Sequence, residues 1–345
     1  MATRNTGGRL VTPHASPGRD STFIPHGALA ALARNLEGAV RMVEPLSKHT
    51  SLRVGGQADV FLIARTTEQL MAAVERASFL GIPWRVIGAG SNLLVADGGV
   101  EGLVVKAAMV TSSVEPYGAG AALLHAEAGC LIASLAKRTA SAGWAGLEWA
   151  VNLPGTVGAA VVNNSGAFGS CVAERLAHAT LHVPDRGRRA ATATELEMDY
   201  RTSRLKRGDL AAVVLGATFR LVRAETDQLL RRIDEIQHVR RATQPGGSSL
   251  GSIFANPDGD AAGRLIEDAG LKGGRFGGAE VSRLHGNFIM NRNAARASDV
   301  LGLMQHVQRI VWARSGRWLT PEVQLVGRWR VEEMLALAAP PGDPA

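Results

Sequence analysis

Residues 88–92, Gly-Ala-Gly-Ser-Asn, form a segment that could bind a phosphate group. Glycines let backbone N–H groups converge on an anion because no Cβ stands in the way. A Rossmann dinucleotide fingerprint would add a third glycine and a following helix, and neither is present here. Residues 93–95 are apolar and predict a strand instead. A plain tight turn is the alternative interpretation of the segment.

Residues 152–169 form a second candidate segment, rich in glycine and asparagine and bounded by apolar elements. Such a composition costs conformational entropy unless the backbone must lie close to another group. We interpret the segment as an ordered loop along a flat, extended cofactor, since Val157, Val161 and Val162 are interleaved with the small residues. An irregular surface loop is the alternative, but loops of this length inside compact domains are usually functional or disordered.

The basic charge of the chain points to an anionic ligand. A net charge of +7 and a pI of about 10.1 are compatible with nucleic acid, with a membrane surface or with a phosphorylated small molecule. The arginines are spread along the chain, and no basic run is interleaved with aromatic residues, which make up 5%. A nucleic-acid platform normally combines a basic run interleaved with aromatic residues and a higher aromatic content. We therefore expect no nucleic-acid partner and a phosphorylated small-molecule ligand.

Cysteine usage and hydropathy narrow the class further. Cys130 and Cys171 lie far apart, so the sequence predicts no disulfide framework and no metal site. No stretch approaches the roughly 20 apolar residues of a membrane span, so we expect no membrane partner. Residues 1–25 are polar, lack the apolar centre of a secretory signal and are interpreted as a disordered extension. Together these features predict a cytoplasmic protein.

Apolar spacing and capping residues predict an α+β protein of two or three domains for these 345 residues. Helices are predicted over 27–43, 67–79, 131–141, 226–240, 261–269 and 297–314, and a short helix is predicted in the tail. Thr66 or Thr67 is the predicted N-cap of the second helix, and Gly316 is predicted to end the helix over 297–314. Strands are predicted over 58–64, 85–87, 93–96, 103–106, 122–128, 177–183, 212–222, 287–290 and 322–327, with a Gly/Ser loop over 245–252. The predicted regions are 1–25, 26–106, 107–222, 223–330 and a C-terminal tail, 331–345.

Ten short motifs between residues 46 and 327 resemble, in order, those of the UDP-N-acetylenolpyruvoylglucosamine reductase family. Each motif is weak alone, whereas ten in sequence give a strong joint signal. They are Thr-Ser-Leu-Arg-Val-Gly-Gly (50–56), Gly-Ala-Gly-Ser-Asn-Leu-Leu (88–94), Gly-Leu-Glu (146–148), Pro-Gly-Thr-Val-Gly (154–158), Tyr-Arg-Thr-Ser (200–203), Gln-Pro (244–245), Gly-Ser-Ile-Phe (251–254), Asn-Pro (256–257), Ala-Gly-Arg-Leu-Ile (262–266) and Pro-Glu-Val (321–323). The short third region resembles the compact class of the family.

The resemblance implies a fold and an activity. Residues 26–106 and 107–222 would form a two-part FAD-binding module of the vanillyl-alcohol-oxidase (PCMH) type, and residues 223–330 a third, α+β substrate-binding domain. FAD would be bound non-covalently and NADPH would be the co-substrate. The nucleotide-sugar substrate, UDP-N-acetylglucosamine enolpyruvate, would be reduced to UDP-N-acetylmuramate for peptidoglycan synthesis. The oligomeric state stays open, with a monomer favoured.

The resemblance also implies which residues hold the cofactor. The 88–92 loop would hold the FAD pyrophosphate, and the 154–158 loop would lie along the flavin. The implied cofactor-binding residues are Gly88, Ala89, Gly90, Ser91, Asn92, Leu93, Pro154, Gly155, Thr156, Val157, Gly158 and Gly166. The sequence departs from the family at Ala159, where a second glycine is frequent, at Phe168, where tyrosine is frequent, and at Gly286, where alanine is usual.

By the same resemblance, Arg201, Ser252 and Glu322 are the catalytic residues. Arg201 would contact the substrate carboxylate and stabilise an enolate through paired, permanently charged donors. Ser252 would protonate the enolate carbon, and Glu322 would orient the charge cluster or a bound water. Tyr200 and Asn256 would contact the substrate.

Less specific interpretations exist for each catalytic candidate and for the function. Arg201 could be a surface arginine, Ser252 a turn cap and Glu322 a half-exposed strand residue. An oxidase or dehydrogenase on the same flavin module would share both loops but need not have Ser252 and Glu322. A basic, non-enzymatic binding protein would lack bound flavin.

Overall fold

The first region is an α+β unit built on a four-stranded sheet. The computed structural model describes residues 24 and 26–340, so the extension predicted for residues 1–25 lies, apart from residue 24, outside the described residues. The elements are α1 (His26–Arg34), β1 (Ala39–Pro45), a 3₁₀ turn (Leu46–His49), β2 (Gln57–Ala64), α2 (Thr67–Phe79), β3 (Trp84–Ile87), β4 (Leu93–Val95) and β5 (Val100–Ala107). The sheet order is β1-β2-β5-β3, with β2, β5 and β3 parallel and β1 antiparallel to β2.

Helix α2 confirms the prediction from the sequence. The Thr66 side chain accepts a hydrogen bond from the backbone N–H of Gln69, which satisfies one of the unpaired donors of the first turn. The helix packs on β2, β3 and β5. Its buried residues recur at helical spacing and are Leu70, Ala73, Val74 and Ala77.

The prediction of a helix over 27–43 was wrong beyond residue 34. Helix α1 ends at Arg34, and residues Ala39–Pro45 form β1, which pairs with β2 through Val40 opposite Leu62. Gly38 lies between the two elements with a φ of 114°, a backbone conformation that favours glycine. The valines that fitted a helical pattern therefore belong to an edge strand, where β-branched residues are favoured.

The second region is a larger antiparallel sheet covered by helices. Its elements are β6 (Ser112–Tyr117), β7 (Ala121–Glu127), α3 (Ile132–Ser141), β8 (Trp144–Ala145), a 3₁₀ turn (Glu148–Ala150), α4 (Val157–Val162), β9 (Gly166–Ala167), β10 (Ser170–Cys171), α5 (Val172–Arg175), β11 (Leu176–Val183), β12 (Gly187–Ala191), α6 (Arg204–Arg207) and β13 (Val213–Arg223). The sheet order is β12-β11-β13-β7-β6, and β8 also pairs with β13.

The segment predicted as a loop over 152–169 contains regular structure. Residues Val157–Val162 form α4, and β9 and β10 form a hairpin. Val157, Ala160 and Val161 lie on the buried face of α4, which contacts β13. A helix of six residues is too short to give a clear periodic signal in the sequence.

The third region is a four-stranded antiparallel sheet with helices around it. Its elements are α7 (Thr226–Thr243), β14 (Ser249–Ser252), α8 (Ala262–Asp268), β15 (Arg275–Phe276), β16 (Ala279–Val281), β17 (Phe288–Asn291), α9 (Ala297–Ser315), β18 (Gln324–Val326) and α10 (Val331–Ala338). The sheet order is β14-β17-β16-β15. Gly316 ends α9 in the left-handed conformation, as predicted. Part of the predicted 245–252 loop is the strand β14.

Two elements of the third region pack against the other regions. Helix α7 buries Leu229, Ile233 and Ile236 in the hydrophobic core of the second region. Strand β18 pairs in parallel with β4 of the first region. Within the described residues, no helix combines the length and apolar character needed to cross a bilayer.

Asn287 offers a test of how the third region is held together. Its buried side chain accepts a hydrogen bond from the Phe254 N–H at 2.9 Å and donates one to the Phe254 carbonyl at 2.8 Å. Asn287→Leu leaves both backbone groups unpaired, so we expect the free energy of unfolding to fall by about 2–6 kcal/mol, at about 1–3 kcal/mol per group. Urea denaturation measures this change.

The control is Asn293→Leu, at an exposed position of the same region. This control should unfold within about 0.5 kcal/mol of the wild type. Equal denaturation midpoints for the two variants would contradict the role of Asn287.

Candidate active site

A cleft of about 420 Å³ is lined by residues from all three regions. This volume lies in the range of small-molecule sites. One wall is the loop between β3 and β4, and another is α4 with the residues that precede it. The end of β14 and the residues leading into β18 complete the cleft.

Two glycines of the loop between β3 and β4 lie so close to neighbouring residues that neither has room for a side chain. A Cβ on Gly90 would lie 2.2 Å from the His49 carbonyl oxygen, and Gly90 has a φ of 65°. A Cβ on Gly88 would lie 2.2 Å from Thr156 Oγ1. Glycine is therefore required at both positions if the loop is to approach residues 49 and 156 this closely.

The loop and Thr156 fit a flat, phosphate-containing cofactor. Thr156 Oγ1 is buried and makes no hydrogen bond to the protein atoms of the described chain. A buried hydroxyl without a partner is costly, so a ligand that bonds it would remove this cost. Because the glycine loop lines the cleft, its backbone amide groups can approach a diphosphate.

Hydrogen bonds connect the glycine loop to Glu322, which lies just before β18, and to Gln324, the first residue of β18. The Asn92 side chain donates to the backbone carbonyl of Glu322 at 3.2 Å, and the N–H of Gln324 donates to the Asn92 carbonyl at 2.9 Å. Gln324 Nε2 also donates to Asn163 Oδ1, immediately after α4, at 2.8 Å. The three walls of the cleft are thereby held in one arrangement.

Arg201 and Glu322 form an ion pair inside the cleft. Arg201 Nε lies 3.0 Å from Glu322 Oε1, without the alignment of a hydrogen bond, and the side chains are 24% and 19% exposed. Arg201 Nη2 donates to the Gly166 carbonyl at 2.6 Å. Arg201 belongs to a tight turn closed by Asp199 and Thr202, where its φ is 57°. The turn and the carbonyl contact hold the guanidinium towards the cleft.

Burial affects the charges of this cluster. Burial raises the pKa of the Glu322 carboxyl above its usual value, while Arg201 and Lys206 oppose the rise. Burial also lowers the pKa of the Lys206 ammonium, and Glu322 partly offsets this change. The cluster is partly buried, so its charges act on one another more strongly than at an exposed surface.

Ser252 lies at the end of β14, opposite Phe288 of β17, and lines the same cleft. Among the described residues, the Ser252 hydroxyl has no hydrogen-bond partner, so it is available to a ligand. The Ile253 carbonyl accepts a hydrogen bond from the N–H of Glu322 at 2.8 Å. Phe254 and Pro321 form an isolated antiparallel β-bridge. These contacts bring the segments of Ser252 and Glu322 side by side.

The structure brings together most of the residues predicted for the site. Arg201, Ser252 and Glu322 all line the cleft. So do the predicted cofactor residues Gly88, Ala89, Gly90, Ser91, Asn92, Leu93, Pro154, Gly155, Thr156, Gly158 and Gly166.

Three predicted residues lie elsewhere. Val157 is fully buried in the core of the second region, and its N–H donates to the Cys130 carbonyl at 2.9 Å. Tyr200 is 58% exposed, and its ring contacts the Arg201 guanidinium. Asn256 is exposed and accepts a hydrogen bond from the N–H of Ala262 at 3.1 Å, at the start of α8.

Five polar residues that line the cleft were not among the predicted site residues: Asn163, Ser165, Arg240, Gln244 and Gln324. Gln324 could have been found, because it lies two residues after Glu322 on a predicted strand, and alternate residues share a face. Asn163 and Ser165 belong to the predicted cofactor segment 152–169, and Gln244 belongs to a family motif, but neither signal singled out these side chains. Arg240 had no signal, since its position depends on how α7 packs.

The fold and the cleft are those of an FAD-binding protein, and two segments of the chain match known domain families. The FAD binding domain family matches residues 58–185. The family of the UDP-N-acetylenolpyruvoylglucosamine reductase C-terminal domain matches residues 242–326.

Whole-chain relatives are consistent with both matches. A UDP-N-acetylenolpyruvoylglucosamine reductase of Synechococcus sp. (strain RCC307) is 45% identical over 82% of this chain and 92% of the relative. That of Chloroflexus aggregans is 41% identical over 86% of this chain and 100% of the relative. The crystal structure of the Thermus caldophilus reductase has a TM-score of 0.71 at 34% identity, covering 84% of this chain and 99% of that chain. The chain belongs to the UDP-N-acetylenolpyruvoylglucosamine reductase family, which confirms the resemblance and the expected fold class.

Gly88→Ala tests whether the glycine loop holds the cofactor. The added Cβ would collide with Thr156 Oγ1, so the loop or Thr156 must move. We expect FAD affinity to fall at least about tenfold, or about 1.4 kcal/mol. Titration of the apoprotein with FAD, followed by flavin fluorescence, measures this affinity.

Gly246→Ala is the matched control, because a Cβ there meets nothing within 4 Å. It should bind FAD as the wild type does. An unchanged FAD affinity in Gly88→Ala would show that the loop does not hold the cofactor.

Proposed function

We propose that the protein reduces UDP-N-acetylglucosamine enolpyruvate to UDP-N-acetylmuramate with NADPH, using non-covalently bound FAD, in peptidoglycan precursor synthesis. The observation that carries this proposal is a single cleft in which the glycine loop, Arg201, Ser252 and Glu322 meet, in a chain of the reductase family.

The cofactor is assigned to two segments of the cleft. The 88–93 loop would hold the FAD pyrophosphate through backbone amides, and Pro154, Gly155, Thr156 and Gly158 would lie along the flavin, with Gly166 beside them. The chemistry that bound FAD supplies is transfer of a hydride equivalent from NADPH to the substrate. The protein must then bind the substrate, stabilise charge and provide a proton.

Arg201 is assigned to the substrate carboxylate. Addition of hydride to the methylene carbon places negative charge on the neighbouring carbon and its carboxylate. A guanidinium held in place by Glu322 and the Gly166 carbonyl can stabilise this charge without reorganising. Glu322 is assigned to orient Arg201, because the two side chains are 3.0 Å apart in a partly buried site.

Ser252 is assigned as the proton donor. Its hydroxyl would protonate the carbon next to the carboxylate and regain a proton from solvent. A serine is a weak acid, so this step requires the strong base formed in the reaction and a nearby positive charge. Tyr200 and Asn256, both exposed at the protein surface, are assigned to substrate binding.

We also propose three functional parts for the chain. The matched domains over 58–185 and 242–326 support an FAD-binding module of two subdomains followed by a substrate-binding domain. Because α7 packs in the core of the second region, we place the second boundary near Gln244, at the end of α7, instead of at residue 222. One chain supplies the whole described cleft, so the proposal requires only a monomer, acting in the cytoplasm where NADPH and nucleotide sugars are made.

The proposal predicts two separable half-reactions. Under anaerobic conditions NADPH should bleach the flavin absorbance, and the enolpyruvyl nucleotide sugar should restore it. Ser252→Ala should keep the bleaching rate and slow the restoration at least about 100-fold, within the range of general acid–base catalysis. Stopped-flow absorbance measures both rates.

Ser249→Ala, on the same strand but outside the cleft, is the control and should behave as the wild type does. Equal loss of both half-reactions in Ser252→Ala would contradict its role. Restoration of the wild-type flavin by oxygen and not by the nucleotide sugar would instead favour an oxidase.

A further inference from the structure

Lys206 lies behind the Arg201–Glu322 pair and does not line the cleft. It belongs to the short helix α6, whose N-cap residue Ser203 accepts a hydrogen bond from the Lys206 N–H. The Ser203 hydroxyl donates to the Val162 carbonyl, at the end of α4, at 2.6 Å. Helix α6 is therefore attached to the wall of the cleft.

The Lys206 side chain reaches back to the turn that carries Arg201. Its Nζ donates to the Arg201 carbonyl at 2.8 Å. Arg201 has a left-handed backbone with a φ of 57°, which is unfavourable for a residue with a side chain and persists only when neighbouring contacts hold it. The lysine supplies one of these contacts.

The three charges form one partly buried cluster. The charges of Arg201 and Lys206 both act on Glu322, and Glu322 acts in turn on Lys206. Their formal charges add to +1, from two cations and one anion. A cluster of Arg201 and Glu322 alone would be neutral, so the carboxylate of Glu322 would offset the attraction of Arg201 for an anionic ligand.

We propose that Lys206 is a positioning residue of the substrate site: it holds the turn of Arg201 and supplies the second positive charge that balances Glu322 when a substrate carboxylate enters. This inference rests on the proposed function, in which Arg201 meets that carboxylate. Lys206 acts through Arg201 and Glu322 and does not touch the substrate.

Three substitutions separate the hydrogen bond from the charge. Lys206→Met removes both, Lys206→Gln keeps a donor without the charge, and Lys206→Arg keeps the charge. The ligands are UDP-N-acetylmuramate and its lactyl methyl ester, which keeps the diphosphate but lacks the negative charge of the carboxylate. Calorimetric titration of the FAD-loaded protein gives the affinity for each ligand, and the readout is the preference for acid over ester.

We expect the preference for the acid to fall at least tenfold in Lys206→Met and Lys206→Gln and to be retained in Lys206→Arg. FAD affinity and reduction by NADPH should stay unchanged in all three. Lys137→Met, at an exposed position on α3, is the control and should match the wild type. If Lys206→Met does not fold, the Gln and Arg variants decide the question.

Two results would overturn the inference. The first is a wild-type preference for acid over ester in Lys206→Gln. The second is an equal loss of affinity for acid and ester in Lys206→Gln, together with loss of bound FAD. Failure of the proposed function looks different, because the wild-type protein itself would then bind neither ligand or show no preference between them.

Discussion

Three residue pairs of a parallel ladder join β18 to β4, and this short contact brings a strand from the third region beside the glycine loop of the first. Asn92 and Gln324 extend the ladder with hydrogen bonds to Glu322 and Asn163. Without this pairing, Glu322 would not lie opposite Arg201, which comes from the second region. The cleft is thus a product of long-range packing, and its chemistry depends on segments more than 200 residues apart in the chain.

Charge is the second constraint on the site. Arg201, Glu322 and Lys206 are partly withdrawn from water, where charges interact more strongly than at an exposed surface. An arginine free in solvent would bind a carboxylate weakly and reorient during the reaction. The tight turn, the Gly166 carbonyl and Glu322 fix this guanidinium before a substrate arrives, which is the condition for efficient electrostatic stabilisation.

Local signals predicted much of the fold and of the site. Thr66 and Gly316 mark the helix ends where the sequence placed them, because capping depends on adjacent residues. The wrong helix over 35–43 and the missed helix α4 have tertiary causes: β1 exists through pairing with β2, and α4 through packing on β13. The family resemblance brought Arg201, Ser252 and Glu322 together, whereas Arg240 and Lys206 reach their positions only through the packing of α7 and α6.

The most direct measurement for this account is the rate at which the enolpyruvyl nucleotide sugar reoxidises NADPH-reduced Arg201→Ala under anaerobic conditions. We expect a rate about 100- to 1,000-fold below the wild type, the usual effect of removing one group that stabilises developing charge, and unchanged flavin reduction by NADPH. A wild-type reoxidation rate would show that the guanidinium does not stabilise the charge formed on the substrate.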